Sequence, residues 1–230
     1  MKDQAAVLAI LGQTALLKGA RESDLEELAV LLQRRTFARG TYLWHGGDAA
    51  ETACIVVRGQ VKVSRTNTDG EEFVTSMFLP GDMFGEMSLV VEDPVRIMDA
   101  QALDTTECLT LSREAFLRYL DNHPRVMRRM VAILAANIRR MDETFAESAF
   151  LDIPGRVARK LLELAELHGE QTADGIRIGM RLSQETLAGM VTASRENVNR
   201  SLSRFASEGL IKLDSGSITI VDQSRLRRYA

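Results

Sequence analysis

Cysteine is scarce in this chain, with only Cys54 and Cys108 in 230 residues, each inside an apolar, β-branched stretch. Two such thiols cannot build a disulfide framework or a cysteine-rich metal cluster, and they read as reduced core residues. Histidine is nearly as sparse. His45, His123 and His168 are scattered and form no paired ligand motif, so a catalytic metal has no ligand set and none is expected. No apolar run approaches the roughly 20 residues that cross a membrane. The start, MKDQAAVLAILGQ, carries an acid and a glutamine where a secretory signal carries a basic region and a cleavage site. A cytoplasmic protein without a membrane partner is therefore expected. A Walker loop, a nucleophile elbow and a dinucleotide fingerprint are also missing. An enzyme reading is left with generic carboxylates such as Asp82 and Glu86, and the chain is read as a non-enzyme.

What is present is enough apolar material, 45% of residues, for one large core or two small ones. The net charge of −3 is unevenly spread. Residues 1–150 hold 17 Lys and Arg against 22 Asp and Glu, whereas residues 151–230 hold 12 against 10. Phosphate attraction is local, so the basic excess in the second part points to a nucleic-acid partner there.

An amphipathic segment around AVLAILGQTALL comes first, and the Ser23–Glu26 spacing predicts a capping box opening a second short helix. From about residue 36 the pattern changes to short β-rich runs, ACIVVRG, QVKVSR, EFVTSMFL and ECLTLS, punctuated by glycines, which predicts a compact antiparallel barrel or roll. Next, Met127, Val131, Leu134, Ile138, Met141 and Phe145 follow at steps of 4, 3, 4, 3 and 4. That is a coiled-coil seam, and it predicts a self-pairing helix with these six residues in the dimer interface. The pattern breaks at FLDIPGR, where Asp152 caps a new helix and Pro154 suits its first turn.

Downstream, Ser183 is placed to cap a short helix over about 184–190, with Leu182 and Leu187 as its hydrophobic staple. After a two-residue turn Ser194 caps a second helix, SRENVNR, that buries Val198, Leu202 and Phe205 and turns Arg195, Glu196, Asn199 and Arg200 outward. This is a helix-turn-helix, and GLIKLDSGSITIVD behind it predicts a hairpin wing. Arginine bonds bidentately to guanine's major-groove edge and glutamate accepts from cytosine, so Arg195, Glu196 and Arg200 are candidate base readers. Asn199, Ser183 and Ser194 complete the candidate DNA-binding set.

Taken together, GDMFGEMSL with Arg96 downstream, AFLDIPGRVARKLLELA and SRENVNR resemble the cyclic-AMP receptor protein and fumarate-nitrate regulator (CRP/FNR) family of bacterial transcription factors over nearly the whole chain. The resemblance implies an α+β protein: a jelly-roll-like antiparallel β-roll of the cyclic-nucleotide-binding type over 1–122, a dimerisation helix over 123–148 and a winged helix-turn-helix over 149–230. It implies double-stranded DNA with TGTGA-like half-sites, a second copy of the chain and RNA polymerase as partners. It also puts Glu86 and Arg96 in the phosphate-binding cassette of an effector pocket. Cyclic-AMP-responsive members follow the cassette arginine with RSA or RTA in place of this chain's Arg96-Ile97-Met98, and their adenine-reaching polar pair is matched here by Met141 and Asp142.

Ile97 has no donor, so cyclic AMP is not expected to control the protein, and Ile97 is expected to crowd the phosphate as well. The oxygen-sensing branch carries an N-terminal cysteine cluster, absent before Cys54. A haem would need His45 or Cys108 as an axial ligand, and both read instead as packed or surface residues. Thr192 stands in the helix-turn-helix turn where the family often has glycine, which predicts a turn that deviates. Two rivals remain. A cyclic-nucleotide-binding module controlling a protein partner would have no DNA affinity, and a β-barrel enzyme would need turnover at Glu86.

Overall fold

The structure is a computed structural model describing residues 2–230 other than 71, 181, 215 and 216, with the backbone alone for residues 2, 3 and 143–149. The apolar first segment forms α1 (Lys2–Gln13) and a 3₁₀ turn, Ala15–Leu17, and α2 (Glu22–Ala29) follows. Helix α2 begins earlier than the Ser23–Glu26 spacing predicts. Its cap is Arg21, whose backbone N–H donates to Asp24 Oδ2 at 3.2 Å while its guanidinium reaches the same carboxylate. A carboxylate that also takes a charged donor is the stronger partner, and that displaces the serine box.

Eight strands come next: β1 (Gln33–Phe37), β2 (Tyr42–Trp44), β3 (Thr52–Arg58), β4 (Val61–Thr66), β5 (Glu72–Phe78), β6 (Met83–Phe84), β7 (Asp99–Ala102) and β8 (Thr106–Ser112). They form two four-stranded sheets, ordered β1-β8-β3-β6 and β2-β7-β4-β5. Strand β3 is buried on both faces, which is why TACIVV reads as a continuous apolar run rather than an alternating one. Alternate side chains serve different cores. Ala53 and Ile55, with Leu109 and Leu111 of β8, face a core shared with the helices, whereas Cys54, Val56 and Cys108 face the interior of the roll. Both cysteines are thus buried and free, and burial pushes the Cys108 thiol up to about 12.

Helix α3 (Arg113–Asn122), capped by Ser112, seals the roll, and α4 (Pro124–Phe150) runs on for 27 residues. The chain then forms α5 (Ile153–His168), β9 (Gly169–Thr172), β10 (Gly175–Ile178), α6 (Gln184–Val191), α7 (Arg195–Ser207), β11 (Ile211–Asp214), β12 (Ser217–Ile220) and α8 (Gln223–Leu226). Asp152 caps α5 as expected, accepting from Gly155 N at 2.8 Å. The wing is larger than a hairpin: β11 and β12 belong to a four-stranded sheet ordered β11-β12-β10-β9, and β9 and β10 were not anticipated. The predicted Ser215-Gly216 turn lies outside the described residues. Two compact units result, one taking in the chain up to Arg65 with Ser76–Arg139, the other Thr66–Thr75 with Arg140–Ala230.

Candidate DNA-reading helix and effector pocket

Helices α6 and α7 carry the two caps their sequences predict. Ser183 Oγ accepts from Thr186 N at 3.0 Å, and Ser194 Oγ accepts from Asn197 N at 3.3 Å. Leu182 and Leu187 are both buried, as a staple requires, and Val198, Leu202 and Phe205 form the buried face of α7. That leaves Arg195, Glu196, Asn199 and Arg200 together on its exposed face. They are partly ordered in advance: Arg200 Nη2 donates to Glu196 Oε1 at 3.2 Å, and Gln184 Nε2 donates to Asn199 Oδ1 at 3.0 Å. Gln184, at the start of α6, was not singled out from sequence, because its partner lies 15 residues on and on another helix.

The connecting turn does not deviate as Thr192 predicts. Thr192 adopts φ 50° and ψ 55°, the left-handed conformation a glycine would take, and it is the one non-glycine with positive φ among the described residues. Its backbone N–H and that of Ala193 both donate to Ala188 O, so α6 ends in two satisfied bonds that offset the local cost.

In the roll, the segment carrying Arg96 is stitched against residues 47–50: Gly47 N donates to Arg96 O and Arg96 N to Asp48 O, each at 2.8 Å. Gly85, at φ 80°, makes the turn that brings Glu86 next to Arg96. The Glu86 carboxyl is raised to about 7 mainly by burial, against a lowering pull from the Arg96 guanidinium. Glu86 and Arg96 therefore do come together. Ile97 is 72% exposed and offers no donor beside Arg96. Met141 and Asp142 are exposed and belong to the other compact unit. Trp44, which sequence reasoning missed, lies over Arg96 with the guanidinium carbon 3.8 Å from its ring centroid. The two are 52 positions apart, and nothing local to either marks the contact.

The seam residues of α4 divide. Leu134 packs on the subunit's own core, next to the buried residues Val126 and Met130 that lie off the seam, whereas Val131, Ile138 and Met141 are 59%, 60% and 71% exposed and Met127 is also open. The Phe145 side chain lies outside the described residues. His45 is exposed beside Asp99, Cys108 is sealed in the roll, and among the described residues no group of three His, Cys, Asp or Glu side chains is arranged to hold a metal ion. No helix among the described residues is long and apolar enough to cross a membrane.

An antiparallel β-roll, a long helix and a winged helix-turn-helix define the class of two-domain DNA-binding transcription regulators. The comparisons agree. Residues 34–123 match the cyclic nucleotide-binding domain and residues 155–229 the Crp-like helix-turn-helix domain. The chain is 34% identical over 221 residues, 96% of its length and 98% of the relative's, to the CRP-like cAMP-activated global transcriptional regulator of Mycobacterium tuberculosis. It is 30% identical over 215 residues, 94% and 96% of the two lengths, to the cyclic AMP receptor protein of Thermus thermophilus. FixK2 from Bradyrhizobium japonicum shares the fold, with a TM-score of 0.76 over 86% of this chain and 96% of that one at 21% identity. The chain belongs to the CRP/FNR family of transcription regulators.

Proposed function

We propose that this regulator acts in the cytoplasm as a homodimer that reads a pseudo-palindromic duplex, with α7 of each copy in the major groove. The exposed face holding Arg195, Glu196 and Arg200, on a helix whose opposite face is fully buried, carries this reading. Arg195 and Arg200 take guanine edges, Glu196 accepts from a cytosine amino group, and Asn199 bonds a base or phosphate. The caps at Ser183 and Ser194 point helix N-termini at the backbone. Met127, Val131, Ile138 and Met141 form the dimer seam, with Leu134 shared between seam and core, and RNA polymerase is the protein partner at the promoter.

Glu86 and Arg96 line the effector pocket, and an anionic effector bound there shifts the population of dimers with correctly spaced reading helices. The two relatives named above are cyclic-AMP proteins by name, but Ile97 offers no donor to a cyclic phosphate and Met141 and Asp142 replace the adenine-reaching pair. A hydrogen bond missing from a charged group costs about 1.5–3 kcal/mol, so cyclic AMP is not the effector at ordinary cellular concentrations.

Selection from random duplexes tests the function. A palindrome with half-sites roughly 34–36 Å apart and resembling TGTGA is expected, and Arg195→Ala should weaken binding by about 1–3 kcal/mol and relax preference at one position. A pool without a palindrome, or a variant with full specificity, would overturn the assignment.

A further inference from the structure

The Arg96 guanidinium is closed off from solvent. The residue is 3% exposed, and its donors are turned onto the protein. Nη1 donates to Gly85 O at 2.7 Å and Nη2 donates to Thr52 O, while the Trp44 ring covers the guanidinium at 3.8 Å. Nε alone is buried without a partner. A guanidinium grips a phosphate through two adjacent N–H groups in its plane. Here one N–H on each terminal nitrogen is taken by a main-chain carbonyl, and the Nε N–H has no partner in a desolvated site, where an unmet donor is costly.

The arrangement is tight enough to be specific. A Cβ on Gly85 would come within 2.8 Å of both Arg96 Nη1 and Trp44 Cη2, so the three residues pack as a unit. Trp44 is itself held: its ring is 5.4 Å from Phe84, and Phe84 is stacked on Phe78 at 5.0 Å, all lining the interior of the roll.

We propose that Trp44 gates the effector pocket. It holds Arg96 against the Gly85 and Thr52 carbonyls, and it sets the affinity for a phosphate-bearing effector by competing with that effector for the guanidinium. The orphaned Nε is the point of entry. An effector oxygen placed there gains a charged hydrogen bond that nothing in the protein supplies, and drawing the guanidinium toward it separates Arg96 from the indole. The proposal rests on the reading of the β-roll as an effector pocket, and it adds a selectivity residue that lies outside the cassette.

Trp44 is the single tryptophan of the chain, so its emission reports the stack directly. The full-length protein is titrated with cyclic AMP into the millimolar range, followed by fluorescence and calorimetry, alongside Trp44→Leu and Trp44→Phe. The wild-type emission should change saturably as Arg96 leaves the ring. Removing a desolvated cation–π contact should tighten cyclic AMP binding by about ten- to thirtyfold in Trp44→Leu, with Trp44→Phe in between. Unchanged or weaker binding in Trp44→Leu would make the indole a floor of the pocket and sink the gate, as would absence of binding in all three proteins. Should Trp44→Leu fail to fold, the comparison of Trp44→Phe with wild type decides by the same criterion. The DNA-reading face is tested separately by Arg195→Ala on an unaltered pocket, so failure of the gate and failure of the regulator reading are distinguishable.

Discussion

Glu86 and Thr192 show what single residues cost and contribute. A carboxyl raised to about 7 by burial is favoured in its protonated form by the fold. Its stabilising effect is complete below the unfolded value near 4.5 and is lost as pH rises through 7. Glu86→Gln keeps the neutral shape at every pH. Thermal melts should therefore show the variant and wild type alike near pH 4.5 and the variant more stable by about 3 kcal/mol above pH 7. A difference that does not change across this window would mean that the carboxyl is not perturbed. At Thr192 the strain is in the backbone: a β-branched residue at φ 50° pays for a conformation that glycine adopts freely. Thr192→Gly should raise the stability of the helix-turn-helix unit by about 1 kcal/mol in chemical denaturation, and a loss of stability would show that the threonine side chain compensates. Both residues were visible in the sequence, Glu86 as part of the cassette motif and Thr192 as a departure in the turn. Their consequences were not, because the burial of Glu86 is set by the folded roll and the conformation of Thr192 is set by the two helices it joins.

Elements whose signals are local were legible. The caps at Asp152, Ser183 and Ser194 each hydrogen-bond three residues on, within one turn of chain, and the structure places all three as their sequences predict. Loss of one should be measurable: Ser194→Ala leaves a backbone N–H of α7 without its acceptor and should destabilise the second unit by about 1 kcal/mol, read by denaturant unfolding. An unaltered midpoint would show that water serves the cap equally well. Where signals are non-local or weak, the sequence misleads. Strands β9 and β10 were missed because all four residues of β9 are exposed and its pattern is polar, so pairing with β10, and of β10 with β12, decides its conformation. The start of α2 was misplaced because Arg21, a poor cap by type, reaches Asp24 with both backbone and guanidinium. The Trp44–Arg96 stack and the Gln184–Asn199 bond join elements distant in the chain, and no periodicity encodes either.

At the scale of the molecule, the long helix α4 has two apolar faces and one subunit covers only one of them. Val126, Met130 and, in part, Ile133 and Leu134 pack on the core that the roll shares with the helices, whereas Val131, Ile138 and Met141 stand open at heptad spacing. A second apolar stripe of this period is what a parallel self-pairing helix presents, and the proposed dimer would use it to carry two reading helices to two half-sites. Because Leu134 serves its own core, a charge there would confuse unfolding with dissociation. Ile138 is the cleaner probe. Ile138→Glu places a charge in the interface, where an unpaired buried carboxylate costs several kcal/mol, while leaving the subunit core untouched. Sedimentation should show monomer with an unchanged far-ultraviolet spectrum. Affinity for the palindrome should fall by a hundredfold or more, roughly what linking two modest half-site interactions supplies, while affinity for a single half-site stays the same. A variant that remains dimeric and binds the palindrome at full strength would place the subunit interface elsewhere and leave the open face of α4 for another partner.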